Sequence, residues 1–126
     1  MDRREALGFL AASAAIALAP AARAAALLER PIPSSGERLA AIGMGTWITF
    51  DVAGDAAAGA TRSAILSDFF AAGGRLIDSS PMYGSSEQVL GERMPADAAR
   101  RLFAATKVWT VGALAGKRQM QASRER

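Results

Sequence analysis

From Thr61 onward the sequence alternates between stretches with helical spacing and short apolar stretches, and this alternation constrains the fold most. TRSAILSDFFAA, residues 61–72, sets Ile65, Phe69 and Ala72 at i, i+4 and i+7, with Thr61 placed to cap the start. Gly73-Gly74 then stops it. RLID, Arg75–Asp78, is short and apolar enough for a buried strand. Ser85-Ser86-Glu87 opens a second helix carrying Val89, Leu90 and Met94, and Pro95 ends it. LFAATK, Leu102–Lys107, is the next strand, and the sequence turns helical again from Ala113. Upstream, Leu28–Leu39 holds two extended segments around Ser34-Ser35-Gly36, the pattern of a hairpin. Ala40–Trp47 reads as a strand running into a glycine-containing loop, and Gly54–Gly59 as a connection. The order predicts an α/β fold in which helices pack outside a parallel sheet through right-handed crossovers. Asp78 to Lys107 matches one βαβ repeat of about 30 residues.

Half of the residues are apolar, but many are alanine, which buries little surface. The expected core therefore rests on Ile65, Phe69, Phe70, Leu76, Ile77 and Phe103. The chain has neither cysteine nor histidine, so disulfides, thiol chemistry, histidine metal sites and Ser–His nucleophile pairs are excluded. A formal net charge of +3, with basic residues scattered and no aromatics among those of the tail, describes a solvated surface rather than a nucleic-acid footprint. Neither GxGxxG nor a phosphate-cradling loop ending in Lys-Ser or Lys-Thr is present.

Residues 1–24, MDRREALGFLAASAAIALAPAARA, have the layout of an export signal. Arg3 and Arg4 precede an apolar run from Leu7 to Ala19, and Ala22-Arg23-Ala24 offers a cleavage site, with Ala19-Pro20-Ala21 a second candidate. The run is shorter than the ~20 residues a membrane span needs, so no stable anchor is expected. The adjacent arginines resemble a bacterial twin-arginine signal, although Asp2 and Ala6 stand where that motif has a hydroxyl residue and a phenylalanine. An amphipathic first helix is the alternative; the uncharged run and Pro20 speak against it. The reading expects passage through the export machinery to the periplasm, leaving residues 25–126 as one domain.

Asp78 ends one expected strand, Tyr83 follows in its loop, and Lys107 ends the next strand. Reactive residues gather at the carboxyl ends of parallel strands, so all three should share one rim. An ammonium beside a phenol favours the phenolate, and a carboxylate beside the ammonium keeps it charged. Such a trio makes a general acid for a developing alkoxide. Singly, Asp78 as a turn cap, Tyr83 as a half-buried aromatic and Lys107 as a solvated strand end need no chemistry; together on one rim they are harder to explain that way.

GGRLIDSSPMYGSSEQVLG, Gly73–Gly91, resembles the signature of the aldo/keto reductase family. RPIPSSGERLAAIGMGTW resembles that family's N-terminal hairpin and first strand, ATKVW its lysine-bearing strand, and GKRQMQAS the start of its third helix. The resemblance implies a (β/α)8 barrel enzyme that reduces an aldehyde or ketone with NADPH. It assigns Tyr83 as proton donor, Lys107 as the group that tunes it and Asp78 as the lysine's partner. Gly45, Thr46 and Asp78 match positions lining the nicotinamide and its ribose, and Trp47 and Trp109 match positions that wall the substrate pocket. Trp109 is equally readable as a rim aromatic.

The family's fourth catalytic residue, a histidine on the next strand, has no counterpart through Arg126, and about three of the barrel's eight units are represented. An incomplete barrel is thus expected, with apolar residues near Ile42, Ile77 and Phe103 on its inner face, and a chain inactive by itself. A non-catalytic or partner-binding fragment of such a barrel is the alternative.

Overall fold

The computed structural model describes residues 26–126; the expected export signal, residues 1–24, lies outside them. Two strands, β1 (Glu29–Pro31) and β2 (Arg38–Ala40), form an antiparallel hairpin whose turn places Gly36 at φ +74°. Three strands then build a parallel sheet in the order β3 (Met44–Gly45), β4 (Leu76–Asp78), β5 (Phe103–Ala105). Helix α1 (Ala56–Ala71) connects β3 to β4, and α2 (Ser86–Arg93) connects β4 to β5. Helix α3 (Ala113–Arg124) follows β5. Two 3-10 turns, Trp47–Phe50 and Ala99–Arg101, complete the order. The alternation expected from the sequence is present as a mixed α/β fold with a parallel sheet.

Three local expectations need correction. Helix α1 starts five residues earlier than Thr61, because the Asp55 carboxylate accepts a hydrogen bond from the Ala58 N–H at 2.9 Å and caps the helix there. Thr61 lies inside the helix and its hydroxyl donates to the Ala57 carbonyl. The buried face of α1 is also displaced by one residue: Leu66 and Phe70 are buried, whereas Ile65 is 40% exposed and Ala72 lies at the surface. Ile65-Leu66 and Phe69-Phe70 are adjacent apolar doublets, so the i, i+4 pattern fits two faces about 100° apart. Finally, the core gathers Phe50, Leu66, Phe70, Ile77, Val89, Leu90 and Ala98, while Phe69, Leu76 and Phe103 are only partly buried.

Ile77 faces the helices, not the inner face of the sheet as expected. Successive strand side chains alternate, so Leu76 and Asp78 occupy the opposite face, with Phe103 and Ala105 as their register partners on β5. Ile42 is 80% exposed.

Glycine ends α1 as the sequence indicates. Gly73 takes φ +88°, and the N–H groups of Gly73 and Gly74 return to the carbonyls of Phe70 and Phe69. Arg75 then joins the hairpin to the sheet, with hydrogen bonds to Glu37 and to the Arg101 carbonyl. These contacts lie at the amino ends of β4 and β5, which leaves the carboxyl ends for chemistry.

Candidate active site

At the carboxyl end of β4, Asp78 stands in register between Gly45 on β3 and Ala105 on β5. The chain beyond β5 brings Lys107 back over this carboxylate. Its Nζ donates to Asp78 Oδ1 at 2.8 Å, to Oδ2 at 2.6 Å and to the Ser79 carbonyl at 3.1 Å. The ammonium's donors are thereby engaged within the protein. Its Nζ also lies 5.0 Å from the centroid of the Tyr83 ring, a cation–π arrangement. The hydrogen bonds that the Asp78 carboxylate accepts hold the Lys107 pKa above its ordinary 10.5; slight desolvation works against them, and the Tyr83 phenol adds a smaller upward push. Lys107 is therefore a fixed positive charge at neutral pH.

The loop that carries Tyr83 is tied down on both sides. The Tyr83 N–H donates to the Ser80 carbonyl at 3.0 Å, and the Ser86 N–H donates to the Tyr83 carbonyl at 2.9 Å. Ser80 and Ser86 are both fully buried. The Ser86 hydroxyl donates to the Trp47 carbonyl, linking this loop to the one after β3.

Thr46 is buried, and its hydroxyl donates to Ser79 Oγ at 2.9 Å and to the Asp78 carbonyl at 3.2 Å. Its N–H reaches the same carbonyl, so Thr46 fastens the end of β3 to the end of β4. Beside Gly45 there is open space: a Cβ built there meets no atom within 4 Å. Gly45 and Ala105, both small, thus leave clear ground on either side of Asp78. Trp47 and Trp109 stand on the loops after β3 and β5, 63% and 68% exposed, and their indoles join none of the cluster's hydrogen bonds. The structure therefore brings together Asp78, Tyr83 and Lys107, with Gly45 and Thr46 beside them, and sets the two tryptophans on the surrounding rim.

Sequence reasoning overlooked three contributors. The Ser79 carbonyl, a main-chain group, carries no signal in a sequence. Asp51 accepts from the N–H and the hydroxyl of Ser85, both at 2.8 Å. Glu87 is 6% exposed and accepts from Thr106 Oγ1 at 2.6 Å, from Ser123 Oγ at 2.9 Å and from Arg126 at 2.9 Å. The signal for Glu87 was a carboxylate three and seven residues before Leu90 and Met94, on the helix face they share, and for Asp51 an acid between the apolar residues Phe50 and Val52.

Comparison with known proteins bears on the family and the fold. The family model described as "Aldo/keto reductase family" matches residues 41–126. A solved structure titled "Putative aldo-keto reductase", from Pseudomonas aeruginosa, superposes with a TM-score of 0.66 at 24% identity, covering 78% of this chain and 40% of that one. A second structure so assigned, from the same organism, gives a TM-score of 0.63 at 23% identity, covering 78% and 41%. The chain thus spans about two-fifths of the length of these solved structures. No curated protein matches it.

Proposed function

The chain belongs to the aldo/keto reductase family, and from that premise we propose that it carries the proton-donating part of an NADPH-dependent carbonyl reductase. The observation that carries the reading is the Asp78–Lys107–Tyr83 cluster: an ammonium hydrogen-bonded to both Asp78 oxygens and lying 5.0 Å from the only tyrosine ring in the chain. Reduction of an aldehyde or ketone needs a hydride at carbon and a proton at oxygen. When bound, NADPH supplies the hydride. This chain's own residues supply the proton.

Tyr83 Oη donates its proton to the carbonyl oxygen as negative charge develops there, and general acid catalysis of this kind contributes about 10²–10⁴-fold. The Lys107 charge stabilises the phenolate left behind, an electrostatic effect that strengthens where water is excluded. Asp78 holds Lys107 in place. Gly45 leaves open space at the end of β3, and Gly45 and Asp78 would form the floor for the nicotinamide and its ribose, while Thr46, fully buried beneath them, fastens the two strand ends rather than reaching the cofactor. Trp47 and Trp109 would stand as walls for an apolar substrate.

The proposal places the three parallel strands within a (β/α)8 barrel, in which later strands provide the remaining cofactor contacts. Residues 25–126 alone are accordingly expected to show no turnover and no tight NADPH binding. With residues 26–126 set into a complete barrel, NADPH deuterated at C4 of the nicotinamide should deliver deuterium to the carbinol carbon of the product alcohol. Absence of label in the alcohol would sink the reading. The proposal also includes twin-arginine export to the periplasm, and unaltered processing after Arg3→Lys plus Arg4→Lys would remove that part.

A further inference from the structure

The geometry points to Asp51 as a positioning residue that holds the Tyr83 loop in place through Ser85, a role that rests on the proton-donor reading of Tyr83. Asp51 lies just past the 3-10 turn after β3, between Phe50, which is buried in the core, and Val52, which packs against that core. Two apolar anchors so fix the backbone that the exposed carboxylate between them meets the loop after β4. Its Oδ1 accepts from both the N–H and the hydroxyl of Ser85 at 2.8 Å, and the Ser85 hydroxyl in turn accepts from the Ala53 N–H at 3.1 Å. A carboxylate accepting from a backbone N–H is among the stronger hydrogen-bond arrangements available. These bonds hold the Asp51 pKa below its ordinary value, the backbone bond from Ser85 contributing most.

Gly84 shows how closely the two loops meet. It adopts φ +56°, and a Cβ added to it would lie 2.4 Å from both carboxylate oxygens of Asp51. The residue directly after Tyr83 is therefore glycine for two separate reasons, its left-handed backbone and the carboxylate beside it. Tyr83 and Ser85 flank this glycine. Ser85 caps α2 by position, yet its hydroxyl serves Asp51 and Ala53 rather than the helix. A hydroxyl diverted from the capping role it would ordinarily take marks a contact whose purpose is to join the loops. Without Asp51, the segment from Met82 to Ser85 keeps its buried ends at Ser80 and Ser86 and the Ala53 bond to Ser85, but loses both bonds that tie Ser85 to the carboxylate.

The experiment uses the 126-residue chain labelled with ¹⁵N and ¹³C. Because Tyr83 is the only tyrosine, its ring signals are unambiguous. The parent should show nuclear Overhauser contacts between the Tyr83 ring and the Lys107 side chain. Asp51→Ala should abolish them and speed exchange of the Ser85 amide by at least about tenfold, as expected of a locally released segment, while Leu66 and Ile77 methyl signals stay at their parental positions. Asp51→Asn, which keeps the accepting oxygen, should retain the contacts. Persistence of the contacts in Asp51→Ala with an intact core would overturn the proposal, as would their loss in Asp51→Asn. Should Asp51→Ala unfold the core, Asp51→Leu, which keeps the bulk and removes the acceptor, decides: loss of the contacts supports the role and retention refutes it. None of these readouts requires hydride transfer, so a failure of the reductase reading would leave them unchanged and separately visible.

Discussion

The two halves of this fold are held together by different forces. Helices α1 and α2 press Leu66, Phe70, Val89 and Leu90 against Phe50 and Ile77, forming one apolar core. Helix α3 contributes no buried residue. Between it, α2 and β5 lies a cavity of about 560 Å³, lined by Leu90, Met94, Ala104 and Met120 among others. Polar bonds span the gap. Glu87 joins Thr106, Ser123 and Arg126, and Gln119 reaches the main chain of Trp109. The active cluster sits across this divide. Asp78 and Tyr83 belong to the packed half, Lys107 to the half held by hydrogen bonds. Apolar packing is collective and tolerant of small shifts, whereas a polar network depends on each partner. The lysine should accordingly be the more easily displaced member of the trio.

The largest expected effect on stability comes from the packed half. Leu66→Ala removes a fully buried side chain and should cost about 2–5 kcal/mol in urea unfolding. Leu114→Ala, on the exposed side of α3, should change the same measurement by no more than about 0.5 kcal/mol. Equal effects at the two sites would dissolve the contrast.

Glu87→Ala sharpens it. The hydroxyls of Thr106 and Ser123, exposed and partly buried, lose their acceptor and turn to water, at about 0.5–1.5 kcal/mol for an ordinary hydrogen bond. Exchange of the α3 amides should accelerate well before that of α1 or α2. Uniform acceleration across all three helices would show that α3 is as firmly packed as the others.

The smallest effect concerns pH. The Lys107 pKa is raised on folding, so the Lys107–Asp78 pair's stabilisation is fully present below about 10.5 and is lost as pH rises through the higher folded value. Both side chains are more than a third exposed, which limits the pair to roughly 1 kcal/mol or less. Unfolding of the parent and of Lys107→Met, compared from pH 7 to pH 11, should converge only at the alkaline end. A gap that closes below pH 9 would contradict the ion pair.

Most of the element order was legible, because helix stops such as Gly73-Gly74 and short runs such as RLID leave few alternatives. The phase of α1 was not, since doublets of apolar residues satisfy two faces equally. Its start was missed because alanine and glycine between Gly54 and Gly59 resemble a connection, while the cap at Asp55 rests on a single side-chain bond. That Asp78, Tyr83 and Lys107 meet on one rim was legible because parallel strands bring their carboxyl ends to the same edge. Asp51 and Glu87 were not, because their partners lie 34 and 19 to 39 residues away and only the folded chain brings them near.

The most direct measurement of the central claim is the kinetics of Tyr83→Phe in a complete barrel bearing these strands, with aldehyde saturating and NADPH affinity followed by fluorescence. The ring is kept and only the donated proton is lost. The account predicts that kcat falls by about 10²–10⁴-fold while NADPH affinity holds, with Lys107→Met reproducing much of the loss and shifting the pH profile. Carbonyl reduction by Tyr83→Phe at close to the parental rate would contradict it.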